Sequence, residues 1–307
     1  MIEKIISNVG MQFGENENNG VIIPKYNPDY NETDKDNILK QIKQEIKKIR
    51  TYVPRVAIFG DTGVGKSSLC NALFGKDIAK ISDVEVGTTK TQEINIDSEN
   101  GGIVLIDFPG IGDGKNDYTN LYKDELKNID LVIWAIKADD RKYELAVNFF
   151  KDVLKPNIEN CPVVFVITQV DKIEPYREWD IKNSKPSKNQ ENNINAKILD
   201  ISKTFDISAN NIVPVSANDK YNLVTLVSKI VEVLPNEKKS SFVRETKEEN
   251  VNDEAYEKAE KGTWDYIKDK FEDVWDSVKD AAVVMIVEHA PKLIEKGLDW
   301  LKNRWFK

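Results

Sequence analysis

A glycine-rich turn that directly follows a short apolar run constrains this chain more than any other feature. The run is Arg55–Phe59, and the turn Gly-Asp-Thr-Gly-Val-Gly-Lys-Ser occupies residues 60–67. Glycines let the backbone curl so that successive N–H groups point inward, while the lysine adds a positive charge and the hydroxyl can ligate Mg²⁺. A helix after the turn would direct its positive dipole end at the same anion. The pattern predicts a phosphate-binding loop between a strand and a helix, and an ordinary glycine turn is the alternative.

Two further motifs indicate a nucleoside triphosphate that is bound together with Mg²⁺. The apolar run 101–107 ends at Asp107, and Gly110 follows three residues later. An aspartate there can hold Mg²⁺ through water, and the glycine N–H can touch a γ-phosphate. The loop 86–90, which lies earlier in the chain, carries two threonines whose hydroxyls can close onto the metal. The predicted metal ligands are therefore Ser67, Thr89 and Asp107, and the predicted catalytic residues are Lys66, Thr89 and Gly110.

Two later strand ends predict that the base is guanine. The apolar run 162–167 leads into residues 168–172, and the run 211–215 leads into residues 216–218. The carboxylate of Asp171 can accept guanine N1–H and the exocyclic amine, which adenine does not offer, and a backbone N–H of the later loop can meet guanine O6. Each motif alone is weak evidence for a guanine-nucleotide site, but their order along the chain is strong evidence. The predicted nucleotide-binding residues are Gly60, Asp61, Thr62, Gly63, Val64, Gly65, Lys66, Ser67, Ser68, Asp107, Gly110, Thr168, Gln169, Asp171, Lys172, Ser216, Ala217 and Asn218.

The periodicity of apolar residues predicts an α/β fold with a doubly wound, mainly parallel sheet and helical appendages at both ends. Strands are expected at 54–60, 91–97, 102–107, 130–136, 162–168 and 211–215, with helices between most of them. The ligand is expected at the carboxyl ends of these strands. Residues 1–52 would form an irregular segment and an amphipathic helix over 34–50, residues 53–236 the nucleotide domain, and residues 237–307 a helical tail. Residues 180–190 are expected in a polar surface loop and residues 236–255 in a charged linker.

Composition limits the classes of partner. The net charge of −8 argues against generic nucleic-acid binding. Cys70 and Cys161 lack metal-ligand spacing, so buried thiols in the reducing cytoplasm of a bacterium are expected. The N-terminus lacks the apolar core of a signal peptide, and no run approaches the roughly 18 apolar residues of a membrane span. The sole histidine, His289, lies in the tail, so histidine acid–base chemistry at the nucleotide is not expected.

These motifs resemble those of the translation-factor-type GTPases, on the branch that holds Era-like, septin-like and immunity-related GTPases. The resemblance covers roughly residues 53–236. It is particularly marked toward a group of poorly characterised bacterial GTPases, often encoded in prophages, whose traits are similar to the segments 65–74, 86–89, 136–141 and 174–180. The resemblance implies a P-loop GTPase domain and a soluble protein that binds GTP and GDP with Mg²⁺.

Three departures from the pattern of that superfamily carry predictions. Residues Thr168 and Gln169 stand where Asn and Lys are usual, so a weaker brace to the phosphate loop and modest affinity are expected. Ile111 stands where the signalling GTPases have a glutamine that orients water, which predicts slow hydrolysis unless a partner supplies the missing group. Gly63 stands where potassium-dependent relatives have asparagine, so activation by a monovalent cation through that residue is not expected.

Arg141 is a candidate for an arginine supplied in cis or across a dimer, and a solvated surface charge is the alternative.

The tail allows two interpretations. Apolar residues recur at helical spacing from Trp264 to Ala282 and from Leu293 to Trp305, which favours helices that cover the nucleotide domain or pair with the helix at 34–50. The alternative is a membrane-surface anchor, because Trp and Leu share a face and the last stretch carries several Lys and Arg residues. Acidic residues in the first half oppose that alternative, so packing is favoured.

Three functions follow from these patterns. The leading hypothesis is a cytoplasmic GTP-hydrolysing switch or assembly protein that acts through the loops around Thr89 and Gly110. The second is a module that holds GTP or GDP with negligible turnover. The third is a membrane- or stress-associated GTPase, peripheral at the membrane, that forms a homodimer through its nucleotide face.

Overall fold

A six-stranded sheet organises the larger part of the molecule. The computed structural model describes residues 32–74, 92–98, 101–108, 126–158 and 161–288. The order across the sheet is β2-β3-β1-β4-β5-β6, and every pairing is parallel except the antiparallel pair of β2 with β3. The predicted mainly parallel α/β sheet is confirmed. The strands are β1 Arg55–Phe59, β2 Gln92–Ser98, β3 Gly101–Asp107, β4 Leu131–Lys137, β5 Val163–Thr168 and β6 Ile212–Pro214.

The central strands form because their sequences are almost continuously apolar. Six consecutive residues of β4 and five of β5 are buried, as expected for parallel strands that are covered on both faces. Phe59 of β1 stacks on Phe108 with ring centroids 4.3 Å apart, and Trp134 of β4 stacks on Phe165 at 5.7 Å. The parallel pairing of β1 with β4 and of β4 with β5 sets these strands side by side, so their carboxyl ends lie along one edge.

Helices precede, separate and follow the strands along the chain. They are α1 Glu32–Thr51, α2 Lys66–Phe74, α3 Glu144–Phe149, α4 Lys188–Phe205, α5 Leu223–Val233, α6 Asn236–Glu245, α7 Asp253–Lys270 and α8 Trp275–Glu288. A π turn, Phe150–Leu154, continues α3. Helix α4 begins with a capping box, in which Gln190 N–H donates to Ser187 Oγ at 3.2 Å and Ser187 N–H donates to Gln190 Oε1 at 3.0 Å. The predicted surface loop at 180–190 therefore ends earlier, because this cap starts a helix at Lys188.

The predicted charged linker at 236–255 is wrong. Most of it is helix α6 and a 3₁₀ turn, Glu248–Asn250. Phe242 is fully buried and packs edge-on against Phe74 of α2 at 5.9 Å. The Lys247 N–H donates to Leu73 O at 2.8 Å, and Asn250 Nδ2 donates to Ala72 O at 2.8 Å. Phe242, Lys247 and Asn250 tie the later part of the segment to the end of α2, whereas its many charges had suggested a solvated linker.

The chain divides into two compact units. One consists of residues 52–234 and 241–255 and contains the sheet. The other combines α1 with residues 235–240 and the helices from residue 256 onward. The limits 1–52, 53–236 and 237–307 remain a prediction about domains.

The helical unit has its own apolar core, made by α1, α7 and α8. Pairing of the tail with the first helix, one of the two forms of packing expected, is observed for these helices. The Arg50 guanidinium and the Glu260 carboxylate form a bidentate ion pair beside this core, with Nη1 2.5 Å from Oε1. The buried members are Ile38, Ile42, Ile46, Ile49, Trp264, Ile267, Phe271, Val274, Trp275, Val278, Ala282 and Ile286.

The basic stretch beyond Pro291, which motivated the membrane-anchor alternative, lies outside the described residues, as do His289 and residues 1–31. Among the helices that the structure describes, none combines the length and the apolar character that a membrane crossing requires.

Candidate functional site

The glycine-rich turn has the backbone geometry that only glycine adopts readily. Gly60, Gly63 and Gly65 have φ angles of 145°, 81° and 93°, in the range that side chains with a Cβ avoid. A Cβ on Gly60 would lie 2.5 Å from Ala135 O of the neighbouring strand β4. At Gly63 a Cβ would meet nothing within 4 Å, so that glycine is required for its backbone angle and not for space. The turn therefore connects β1 to α2 as an open, inward-curled loop.

Lys66, the first residue of α2, lies back across this loop. Its Nζ donates to Gly60 O at 2.9 Å and to Asp61 O at 3.4 Å, and it lies 3.8 Å from Asp107 Oδ1. Asp107 ends β3, which is the neighbour of β1 in the sheet. The sheet order thus brings together Lys66 and Asp107, which are 41 residues apart in sequence.

The carboxylate of Asp107 is partly buried, and this burial disfavours its charged form. Its Oδ1 is buried and has no hydrogen-bond partner among the described residues. Burial raises the pKa of Asp107 above its usual range, and the Lys66 ammonium opposes that shift. Asp107, Lys66 and Ser67 line one small cavity of about 20 Å³, which is enough for one water-sized group. An unsatisfied carboxylate oxygen and a hydroxyl beside one cavity are hard oxygen donors of the kind that Mg²⁺ prefers.

Thr168 and Gln169, at the end of β5, brace the glycine-rich loop. Thr168 Oγ1 lies 2.6 Å from Val64 O and 3.3 Å from Ile136 O, and the shorter contact is the stronger bond. Gln169 Nε2 donates to Gly63 O at 3.1 Å. Thr168 reaches the loop despite its short side chain, because it is buried close to Val64. The expected weaker brace and modest affinity stay a prediction. Gln169 has a φ of 56°, in the left-handed region of the backbone.

The two loops predicted to contact the base lie side by side. Asp171 and Lys172 belong to a 3₁₀ turn, Val170–Lys172, and Lys172 Nζ donates to Gln169 Oε1 at 2.9 Å. The Val170 N–H donates to Val215 O at 3.2 Å, which ties this turn to the end of β6. Residues 216–218 follow directly: Ser216 is buried, Ala217 is partly exposed and Asn218 is exposed.

The structure therefore gathers most of the predicted residues at one edge of the sheet. Asp61, Thr62 and Ser68 are exposed, whereas Val64 is buried and contributes its backbone. Thr89, Gly110 and Ile111 lie outside the described residues.

A polar network beside the glycine-rich loop was missed at the level of the sequence. Asp140, Lys142 and Tyr143 line a cavity of about 10 Å³ together with Gly60 and Asp61. Lys197 Nζ, from α4, donates to Asp140 O and to the Tyr143 hydroxyl oxygen. Burial lowers the pKa of Lys197 and raises that of Asp140. The segment 136–141 singles out this loop in the sequence. No local pattern connects it to Lys197, which is 57 residues from Asp140.

Arg141 itself is exposed on this loop. Its neighbours Asp140 and Lys142 both line the cavity that includes Gly60 and Asp61. The arginine therefore lies beside the glycine-rich loop, with its side chain open to solvent.

Comparison with known proteins agrees with this geometry. The sequence pattern of a family described as "50S ribosome-binding GTPase" matches residues 55–169, which include β1, the glycine-rich loop, Asp107 and the brace from Thr168 and Gln169. The "uncharacterized protein YkfA" of Escherichia coli K12 is 34% identical over 209 residues, which are 67% of this chain and 71% of that protein.

Two other relatives extend the comparison. The "uncharacterized protein YfjP" of Escherichia coli K12 is 31% identical over 209 residues, again 67% of this chain and 71% of that protein. The "GTPase Era" of Aquifex aeolicus is 32% identical over 193 residues, which are 59% of this chain and 56% of that protein.

Proposed function

The chain belongs to the family of P-loop GTPases that includes YkfA and YfjP, and we propose how its residues hold the guanine nucleotide and limit its turnover. It is a GTP-binding switch protein that hydrolyses GTP to GDP and phosphate. The observation that carries the proposal is the convergence of the P-loop, Asp107 and residues 168–172 at one sheet edge, where parallel α/β sheets bind their ligands.

The phosphates are held by the P-loop, residues 60–68. Its positive-φ glycines leave backbone N–H groups free to turn toward an anion, and α2 begins at Lys66 with its positive dipole end facing the same loop. Lys66 Nζ exchanges its contacts with Gly60 O and Asp61 O for phosphate oxygens, because an ammonium prefers a charged acceptor to a carbonyl. Lys66 is thus both a binding and a catalytic residue, since it balances negative charge that develops on the phosphates.

Mg²⁺ fits between Ser67 and Asp107. The buried Asp107 Oδ1, which accepts no hydrogen bond among the described residues, and the raised pKa of this carboxyl are the features that a nearby cation would relieve. When bound, the metal neutralises charge on the β- and γ-phosphates. Thr89 is proposed as a further ligand, and Gly110 as a donor to the γ-phosphate.

The base is recognised by Asp171 and by residues 216–218. Asp171 accepts guanine N1–H and the exocyclic amine, and the backbone of Ala217 or Asn218 donates to O6. Gln169 and Lys172 form the hydrogen-bonded pair that connects the base loop to the P-loop. The brace from β5 holds the P-loop although asparagine is absent at position 168.

Hydrolysis is proposed to be slow in the monomer because Ile111 cannot orient a water molecule. A second copy that faces the nucleotide would supply a positive charge that stabilises the transition state, and Arg141 is the candidate for that contribution. Its exposed position beside the P-loop supports this role.

Turnover at increasing protein concentration tests this proposal. The isolated monomer should turn over far below the typical enzyme rate of about 10 per second, and its specific activity should rise with concentration. Arg141→Ala should remove the rise but leave the basal rate, whereas the control Arg177→Ala, at another exposed arginine, should behave as the wild type does. A specific activity that is independent of concentration would contradict activation by a second copy.

A further inference from the structure

A structured segment follows the base-contacting turn and is held at both ends by the start of α4. It comprises residues 174–187. Gln190 of α4 is fully buried, and its Nε2 donates to Ile173 O at 3.0 Å just before the segment. Its Oε1 accepts from the Ser187 N–H at 3.0 Å at the other end of the segment. One buried amide therefore fixes where the segment leaves the base-contacting turn and where it returns.

Trp179 is the anchor of this segment. It is 8% exposed and belongs to the core under the sheet, with Val170 and Ile194. Its indole packs edge-on against the ring of Tyr221, with centroids 5.4 Å apart and planes at 84°. The indole Nε1 is buried and has no hydrogen-bond partner in the part of the chain that the structure describes. Trp179 is therefore held by its aromatic packing and not by a polar contact.

Tyr221 closes the loop that is proposed to meet guanine O6. The Tyr221 N–H donates to Ser216 O at 2.9 Å, and the Ser216 N–H donates to Tyr221 O at 3.3 Å. The Asp219 N–H donates to Ser216 Oγ at 3.2 Å within the same loop. This pairing leaves Ala217 and Asn218 at the tip, so the position of the tip depends on where Tyr221 sits.

We infer that Trp179 is a positioning residue for guanine recognition. By packing against the ring of Tyr221, Trp179 sets the position of residues 216–218 relative to the base. Its own side chain does not contact the nucleotide. The inference deepens the proposed function and rests on it, because it takes residues 216–218 as the loop that meets O6. It also assigns a role to the segment 174–187, which links the turn that contains Asp171 to the loop that follows β6.

Competitive binding of GDP and ADP, with Mg²⁺ present, tests the inference. Trp179→Ala should reduce the preference for GDP over ADP about tenfold, which corresponds to about 1.4 kcal/mol, and should leave the affinity for ADP nearly unchanged. Trp179→Phe should keep the preference, because the indole N–H has no partner to lose. Trp264→Ala removes a more deeply buried tryptophan from the helical unit and should lower the melting temperature without changing the preference.

The outcomes distinguish failure of the inference about Trp179 from failure of the proposed function. If the wild type prefers GDP and Trp179→Ala prefers it equally, the inference is wrong and the proposed function stands. If the wild type binds ADP as tightly as GDP, the proposed function fails and the inference fails with it. Should Trp179→Ala not fold, Tyr221→Leu removes the same contact from its other side, and an unchanged preference in that variant would also overturn the inference.

Discussion

At the scale of single residues, the brace between β5 and the P-loop depends on where two side chains lie. Thr168 is 3% exposed and donates to Val64 O, and Gln169 donates to Gly63 O. The threonine side chain is short and its hydroxyl donates only one hydrogen bond. It can brace the P-loop because the ends of β1 and β5 lie close together. The sheet order, in which β4 alone separates β1 from β5, provides that proximity.

Thr168→Val should weaken GDP binding by about tenfold and leave the preference for GDP over ADP unchanged. The substitution keeps the shape but leaves the buried Val64 O without its donor, which costs about 1–3 kcal/mol. The matched control is Thr263→Val, at a buried threonine of the helical unit whose hydroxyl contacts Ser240 and Ala259. Both variants should melt lower by calorimetry, but only Thr168→Val should weaken GDP in a titration. Wild-type affinity in Thr168→Val would show that the brace does not hold the P-loop in its binding form.

Asp171→Asn should shift the preference of the protein from guanine toward xanthine nucleotides. An amide can donate to the 2-oxo group of xanthine, whereas the carboxylate repels it, and each lost hydrogen bond to the charged acceptor is worth about 1.5–3 kcal/mol. Titration with GDP and xanthosine diphosphate measures the shift. Asp206→Asn, at the exposed end of α4, is the control that should bind both nucleotides as the wild type does. Equal loss of both nucleotides in Asp171→Asn would argue against a direct contact with the base.

At the scale of elements, the helical unit is built from opposite ends of the chain. Helix α1 contributes four isoleucines to a core that α7 and α8 complete, and Arg50 of α1 pairs with Glu260 of α7. An amphipathic helix of this kind derives most of its stability from the partners of its apolar face. The folded state of α1 therefore depends on α7 and α8, and theirs on α1.

Ile46→Ala should destabilise the helical unit by about 2–5 kcal/mol, because Ile46 is fully buried in its core. Hydrogen exchange measured by mass spectrometry should then show reduced protection in peptides from α7. Lys47→Ala, at the exposed neighbour on the same helix, should leave that protection within the error of the wild type. If α7 is protected equally in both variants, α1 is not part of its core.

At the scale of the whole molecule, the sequence predicts the sheet well because the strands are long apolar runs that stop at motif residues. The strands from β1 to β6 all lie within two residues of their predicted limits. Helix α6 was predicted as a linker because its charges outnumber the few residues, such as Phe242, that pack on α2. The contacts of Lys197 with Asp140 and Tyr143, and that of Thr168 with Val64, join elements that are far apart in the chain. No local sequence pattern contains those distances.

The binding of GDP by the wild type and by Lys66→Ala tests the central claim most directly. Calorimetric titration with Mg²⁺ should give a GDP affinity at least about 100-fold above that for ADP, the value of two hydrogen bonds to a charged acceptor. Lys66→Ala should lose GDP binding while its melting temperature in the absence of nucleotide stays near that of the wild type. Equal binding of GDP and ADP by the wild type, or unchanged GDP affinity in Lys66→Ala, would contradict the account.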